Sequence, residues 1–187
     1  MIPSEEWLSP TRATGIAAYA AAAACSAIAW ARARRVQAVS RLAASLTAIE
    51  SLLLIDMILN VRWILHDIFA TAAQRRHEYD LRHLPQLLFV AVLVGILLVG
   101  LISTARLYRA RIGAVLAVSG ALLSLIIWCV EVVSLHQVDA ILYYPVGNLM
   151  AVSLIWVLAS LLTSVGILID AHQAHPSNLA KAHRVRS

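Results

Sequence analysis

Residues 47–69 read TAIESLLLIDMILNVRWILHDIF, and their reading decides the fold. The stretch has the length and apolar content of a helix that crosses a bilayer, yet it carries Glu50, Asp56, Arg62, His66 and Asp67. Ionisable groups at membrane depth cost roughly 2.5–3.5 kcal/mol each on insertion scales, so neighbouring helices must shield this one. The rest of the chain is expected to be a wall around it.

That wall is visible in the composition. Of 187 residues, 61% are hydrophobic and only 13% charged, against roughly 25% charged in soluble domains. Five segments supply the ~20 residues that a spanning helix needs. None alternates like a transmembrane barrel strand. The chain therefore reads as all-α: a polytopic membrane protein, a bundle of five transmembrane helices with the lipid bilayer as its solvent. The expected spans are 14–31, 45–68, 86–104, 112–133 and 149–169. An extracytoplasmic segment, 1–13, precedes them, and a polar tail, 170–187, follows.

The spans differ in character. The first is mostly alanine, and small residues let helices approach closely in lipid. Trp7 and Trp30 flank it as interface anchors. The third has no ionisable group between Gln86 and Thr104 and is expected to show much of its surface to lipid; Pro85 suits its first turn. The fifth carries Ser153, Ser160, Thr163 and Ser164, hydroxyls that can bond to helix carbonyls or across helices. Between the fourth and fifth, Pro145, Gly147 and Asn148 mark a turn. Cys25 and Cys129 lie in apolar runs without CxxC or Cys/His spacing, and read as small apolar residues.

Orientation follows from the arginines. Arg32, Arg34, Arg35 and Arg41 follow the first span, and Arg106, Arg109 and Arg111 follow the third, both as positive blocks without acidic partners. With five spans these blocks and the basic tail fall on one side, and the acidic N-terminus MIPSEEW falls on the other. The positive-inside rule then puts the N-terminus outside and the C-terminus in the cytoplasm. The N-terminus has no basic n-region, so no cleaved signal peptide is expected. The net charge of +5 is explained by topology, and no nucleic-acid partner is implied. The Ala- and Arg-rich composition suggests a bacterial inner membrane.

In this orientation the second and fourth spans both run outward. Their polar residues, Arg62, His66 and Asp67 on one and Glu131, His136 and Asp139 on the other, converge on the outer face. On a continuous second helix Asp56, Asn60, Trp63 and Asp67 form one stripe with Arg62 and His66 beside it. At ~1.5 Å per residue, Asp56 lies about 22 Å beyond Arg41, inside the hydrocarbon zone, and needs a partner. Glu50 is off the stripe and deeper, with no partner visible in sequence.

Four readings fit this constellation. In the first, an ion pair between Arg62 and Glu131 or Asp139 holds a small bundle together; the protein is then a structural, accessory or assembly component whose Ala-rich first span docks a membrane-protein partner or a second copy. In the second, His66 and His136 ligate a haem b iron, or share a metal ion with Glu131 and Asp139. In the third, Asp56 and Glu50 relay protons or help to move a solute. In the fourth, His136 with Asp139 or Glu131 forms an acid/base pair of a lipid-active enzyme, although no nucleophile motif accompanies it. His172, His175 and His183 near the C-terminus read as a solvated tail.

Two segments, RWILHDIFATAAQRRHEYDLRHLPQ (62–86) and SLHQVDAIL (134–142), resemble segments of multi-pass bacterial membrane proteins of uncharacterised activity. The resemblance implies that Arg62, Trp63, His136 and Asp139 belong to a shared pattern, and it implies no activity.

Overall fold

A computed structural model of the chain describes residues 9–62, 64, 71, 83–109, 111–133 and 140–174. Helix α1, Pro10–Arg32, starts where Ser9 accepts a hydrogen bond from the Arg12 N–H, with proline in the first turn, a position where its missing N–H costs nothing. A four-residue turn reverses the chain into α2, Gln37–Leu59. Helix α3 is His83–Leu107 and α4 is Ile112–Val133. A two-stranded hairpin pairs β1, Pro145–Val146, with β2, Leu149–Met150, around Gly147 at φ 64°, where the expected turn lies. Helix α5, Ala151–Gln173, closes the described chain.

The chain is overwhelmingly helical, and among the described residues α1, α2, α4 and α5 are long and apolar enough to cross a membrane. In α3 the described apolar part is the shorter Ala91–Leu107. Leu88, Val92, Val99 and Leu107 on α3 are exposed, as expected of a lipid-facing helix.

Two boundaries differ from expectation in ways that matter. The second helix is shifted toward the N-terminus: it takes in Arg41 and stops at Leu59, where 45–68 was expected. The last helix runs past residue 169, so Asp170 lies inside it and not in a polar tail.

Helix α5 is the hub. It packs along α4 and α1, and α1 packs in turn along α2. Its contact with α4 is backbone on backbone. A Cβ on Gly166 would come within 2.3 Å of Ala117 N and 2.7 Å of Gly113 O, and one on Gly120 within 2.5 Å of Ala159 O. Lipid offers no hydrophobic drive between helices, so this close van der Waals packing of small residues takes its place. Helix α1 does the same with Gly15, set against Met57 and Trp156.

The interior is layered. One apolar cluster gathers Tyr19, Leu53, Met57, Val130, Leu142, Val152 and Trp156. A second gathers Ala29, Ala43, Leu46, Ala117, Ala121 and Ile167. On α1, α2, α4 and α5 the stretch between these two levels includes buried polar residues: Ser26 on α1, Glu50 on α2, Ser124 on α4, and Ser160 and Thr163 on α5. The layers also give the helix directions, with α1 and α5 running one way and α2 and α4 the other.

Replacing Gly166 with alanine is expected to overpack the α4–α5 seam and cost about 1–3 kcal/mol. Gly95→Ala, where a Cβ meets nothing within 4 Å, should be neutral or stabilising by up to ~1 kcal/mol through helix propensity. Thermal loss of helical circular dichroism in detergent compares the two.

Candidate functional site

The polar residues of the opening stretch meet at the end of the bundle where α2 finishes. Asn60 takes the left-handed conformation at φ 61° and its N–H bonds to Asp56 O at 2.7 Å, which stops the helix. Asparagine is among the few residues that tolerate this region. Two residues on, Arg62 reaches the last turn of α2, where one arginine grips one carboxylate repeatedly. Its backbone N–H donates to Asp56 Oδ1 at 2.9 Å, its Nε to Oδ2 at 2.8 Å, and its Nη2 lies 2.6 Å from Oδ2. On the other side Nη1 donates to Glu131 Oε2 at 2.6 Å. Tyr143 O–H reaches Glu131 Oε1 at 3.5 Å, and the guanidinium stands 5.5 Å from the Trp156 ring centroid. All three charged residues are buried.

The expected pairing of Arg62 with Glu131 is therefore present, and Asp56 finds its partner in the same arginine. The expected stripe is not formed as drawn, because the left-handed Asn60 breaks the helix that would have carried it. Asp56 is close to the end of α2. It lies three residues from the end of α2, about 4–5 Å along the axis, whereas Glu50 lies about 13–14 Å from that end. Trp63, His66, Asp67, His136 and Asp139 lie outside the described residues, so the histidine pair offered for haem falls there too. Among the described residues, no three His, Cys, Asp or Glu side chains are grouped to hold a metal ion. Cys25 and Cys129 are free thiols, each half-buried.

Arg12 is a member that sequence reasoning missed. From the first turn of α1, its Nε donates to Met57 O at 3.1 Å and its Nη2 to Ile58 O at 2.7 Å. It thus caps the carbonyls that α2 leaves unpaired, at the end where a helix dipole favours a cation. Beside it Thr11 Oγ1 accepts from the Met150 N–H at the start of α5, at 3.1 Å. The Ser9-Pro10 signature of a helix start was the available signal: it moves Thr11 and Arg12 out of the presumed extracytoplasmic segment and into the bundle.

The opposite end has its own clamp. Arg111, between α3 and α4, donates from Nε to Asp170 Oδ1 at 2.9 Å and from Nη2 to Oδ2, a bidentate pair. Its guanidinium lies 5.1 Å from the Tyr108 ring centroid. Hydrogen bonds to Asp170 hold Arg111 above its ordinary value, so it stays charged at any physiological pH. The arginine block after the third span is thus not wholly without an acidic partner.

Comparison with protein-family models, with curated proteins and with solved structures finds no match.

Removing one member of a buried charge network strands the rest, at about 3–5 kcal/mol. Arg62→Ala is expected to lose that much, and the apolar triple replacement Asp56→Leu, Arg62→Met, Glu131→Leu to recover most of it. Asp170→Ala should cost less than Arg62→Ala, since the Arg111 side chain is 27% exposed and can turn to water. Thermal melts of the three variants and the unmodified protein in one detergent give the order.

Proposed function

We propose that the protein is a small polytopic protein of the bacterial inner membrane, with five spans, its N-terminus outside and its C-terminus in the cytoplasm, acting as a structural, accessory or assembly component. The observation that carries this reading is that Arg62 spends its hydrogen bonds on Asp56 and Glu131. Charges matched inside the protein hold helices in register and offer nothing to a passing solute. Arg12 and Arg111 are likewise used up on helix ends and on Asp170.

The orientation rests on charge. The turn with Arg34 and Arg35 and the connection with Arg109 and Arg111 lie at one end of the bundle, and the hairpin at the other, which fits the positive-inside rule if the arginine end is cytoplasmic.

The outer face of α1 supports a docking role. Ala13, Ala17, Ala21 and Ala24 are exposed at successive turns, followed by Ile28 and Ala31, so the first half of the helix offers a strip along which another helix can bring its backbone close. A second copy of this chain or a partner subunit would fit it.

In a background with Cys25 and Cys129 replaced by alanine, cysteine at Arg34 or Arg109 should react with an impermeant thiol reagent only from the cytoplasmic side, and cysteine at Asn148 only from outside. The opposite pattern overturns the orientation. Leucine at both Ala17 and Ala21 should abolish cross-linked complexes in intact membranes without lowering the melting temperature. If the unmodified chain gives no such complexes, the docking role fails.

A further inference from the structure

Glu50 takes no part in either clamp. It sits midway along α2, it is 0% exposed, and neither carboxyl oxygen has a hydrogen-bond partner among the described residues. The layer it occupies is built for a polar group: Ser26, Ser124, Ser160 and Thr163 are all buried with it, and the first three have hydroxyls that are likewise unpartnered among the described residues. An ionised carboxylate enclosed in this way, without a counter-charge, is strongly disfavoured. A bound cation removes the penalty.

Thr163 decides which cation. It stands beside the Glu50 carboxyl, and its own hydroxyl donates to Ala159 O at 3.1 Å. With that proton committed, the Thr163 oxygen keeps its lone pairs free to accept a hydrogen bond. A carboxylate has no proton to offer a lone pair, whereas a carboxylic acid does. Gly120 closes the layer from α4, since a Cβ there would lie 2.5 Å from Thr163 Oγ1. Backbone packed this tightly favours the smallest cation.

We propose that Glu50 is an intramembrane proton-binding site, held as a carboxylic acid that donates to Thr163 and loaded from the end of the bundle that bears Arg62. The two sides of the layer differ. Toward Arg62 stands Tyr19, fully buried with an unpartnered hydroxyl, within electrostatic reach of Glu50 and of Arg62, Glu131 and Asp56. Toward Arg111 lies the apolar cluster of Ala29, Ala43, Leu46, Ala117, Ala121 and Ile167, where the hydroxyls of Thr47 and Ser119 are spent on carbonyls of their own helices. Loading adds one proton from water to a carboxylate oxygen. Tyr19 returns unchanged when it gives up its own proton and accepts another.

The groups facing Glu50 keep the site simple. Helix α1 brings Tyr19, α4 brings the Ser124 hydroxyl, and α5 brings Ser160 and Thr163. On α2 the other described ionisable groups are Arg41, in the second turn, and Asp56, which Arg62 holds.

Infrared spectra of the purified full chain in liposomes, taken across pH, test the assignment. At neutral pH the unmodified protein should show a carboxylic-acid carbonyl band that fades as pH rises and is missing in Glu50→Gln, with Glu131→Gln as the control that keeps it. Thr163→Val should move this band to higher frequency, because the acid loses its acceptor, and Tyr19→Phe should slow its deuteration. The melting temperature should fall with rising pH in the unmodified protein and not in Glu50→Gln, whose amide donates to Thr163 as the acid does. A band that survives Glu50→Gln, or no acid band at neutral pH, overturns the proposal. So does a rise in melting temperature with sodium over choline at fixed pH that Glu50→Gln abolishes, since a metal ion would then hold the site. If Glu50→Gln does not fold, the pH titration of the unmodified protein and the Thr163→Val shift decide.

Discussion

Arg62 between Asp56 and Glu131 is the interaction on which this bundle depends. One guanidinium joins the end of α2 to α4 through two carboxylates, from a position two residues past the left-handed Asn60. The left-handed residue, the helix stop and the triad are one device. Its members are individually costly in a membrane and become tolerable together, since each charge meets its opposite at hydrogen-bond distance. Such a device favours one arrangement of helices over others that hydrophobic burial alone could not distinguish in lipid.

The clamps at the two ends leave the middle to packing. There α5 meets α4 through Gly113, Gly120 and Gly166, with no side chain between the backbones. The same closeness that stabilises the seam fixes the surroundings of Thr163, and so the chemistry open to Glu50. A buried carboxyl in an apolar level would have only a cost. Set in a level of hydroxyls, with a dry layer on one side and Tyr19 on the other, it becomes a group with a defined ligand and a defined direction of access.

Much of this was legible in the chain. The helical class, the fourth helix at 112–133, the hairpin turn around Gly147 and the pairing of Arg62 with Glu131 or Asp139 all follow from hydropathy, turn residues and the rule that membrane charges are paired, and the structure shows the pair with Glu131. The end of α2 was not legible, because apolar residues continue past Asn60 and periodicity alone cannot see a left-handed backbone. Arg12 was not singled out at all, and Arg111 was read as a loop charge. Their partners lie 45 and 59 residues away in sequence, and no local pattern announces contacts of that span. Asp170 was placed in a tail for the same reason: its buried setting comes from Gly113 and Arg111, not from its neighbours in sequence.

By itself, then, the sequence determined that the chain is helical, which segments are long and apolar enough to span a membrane, and which residues would be too costly to stand alone in lipid. These are properties of composition and local order, and transfer free energy sets them residue by residue. The tertiary structure decided which charge answers which, where the second helix stops, and that Glu50 has hydroxyls and no counter-ion around it. Partnership between distant groups depends on how four helices pack, and the small residues that govern this packing carry no charge or hydropathy signal to be read in advance.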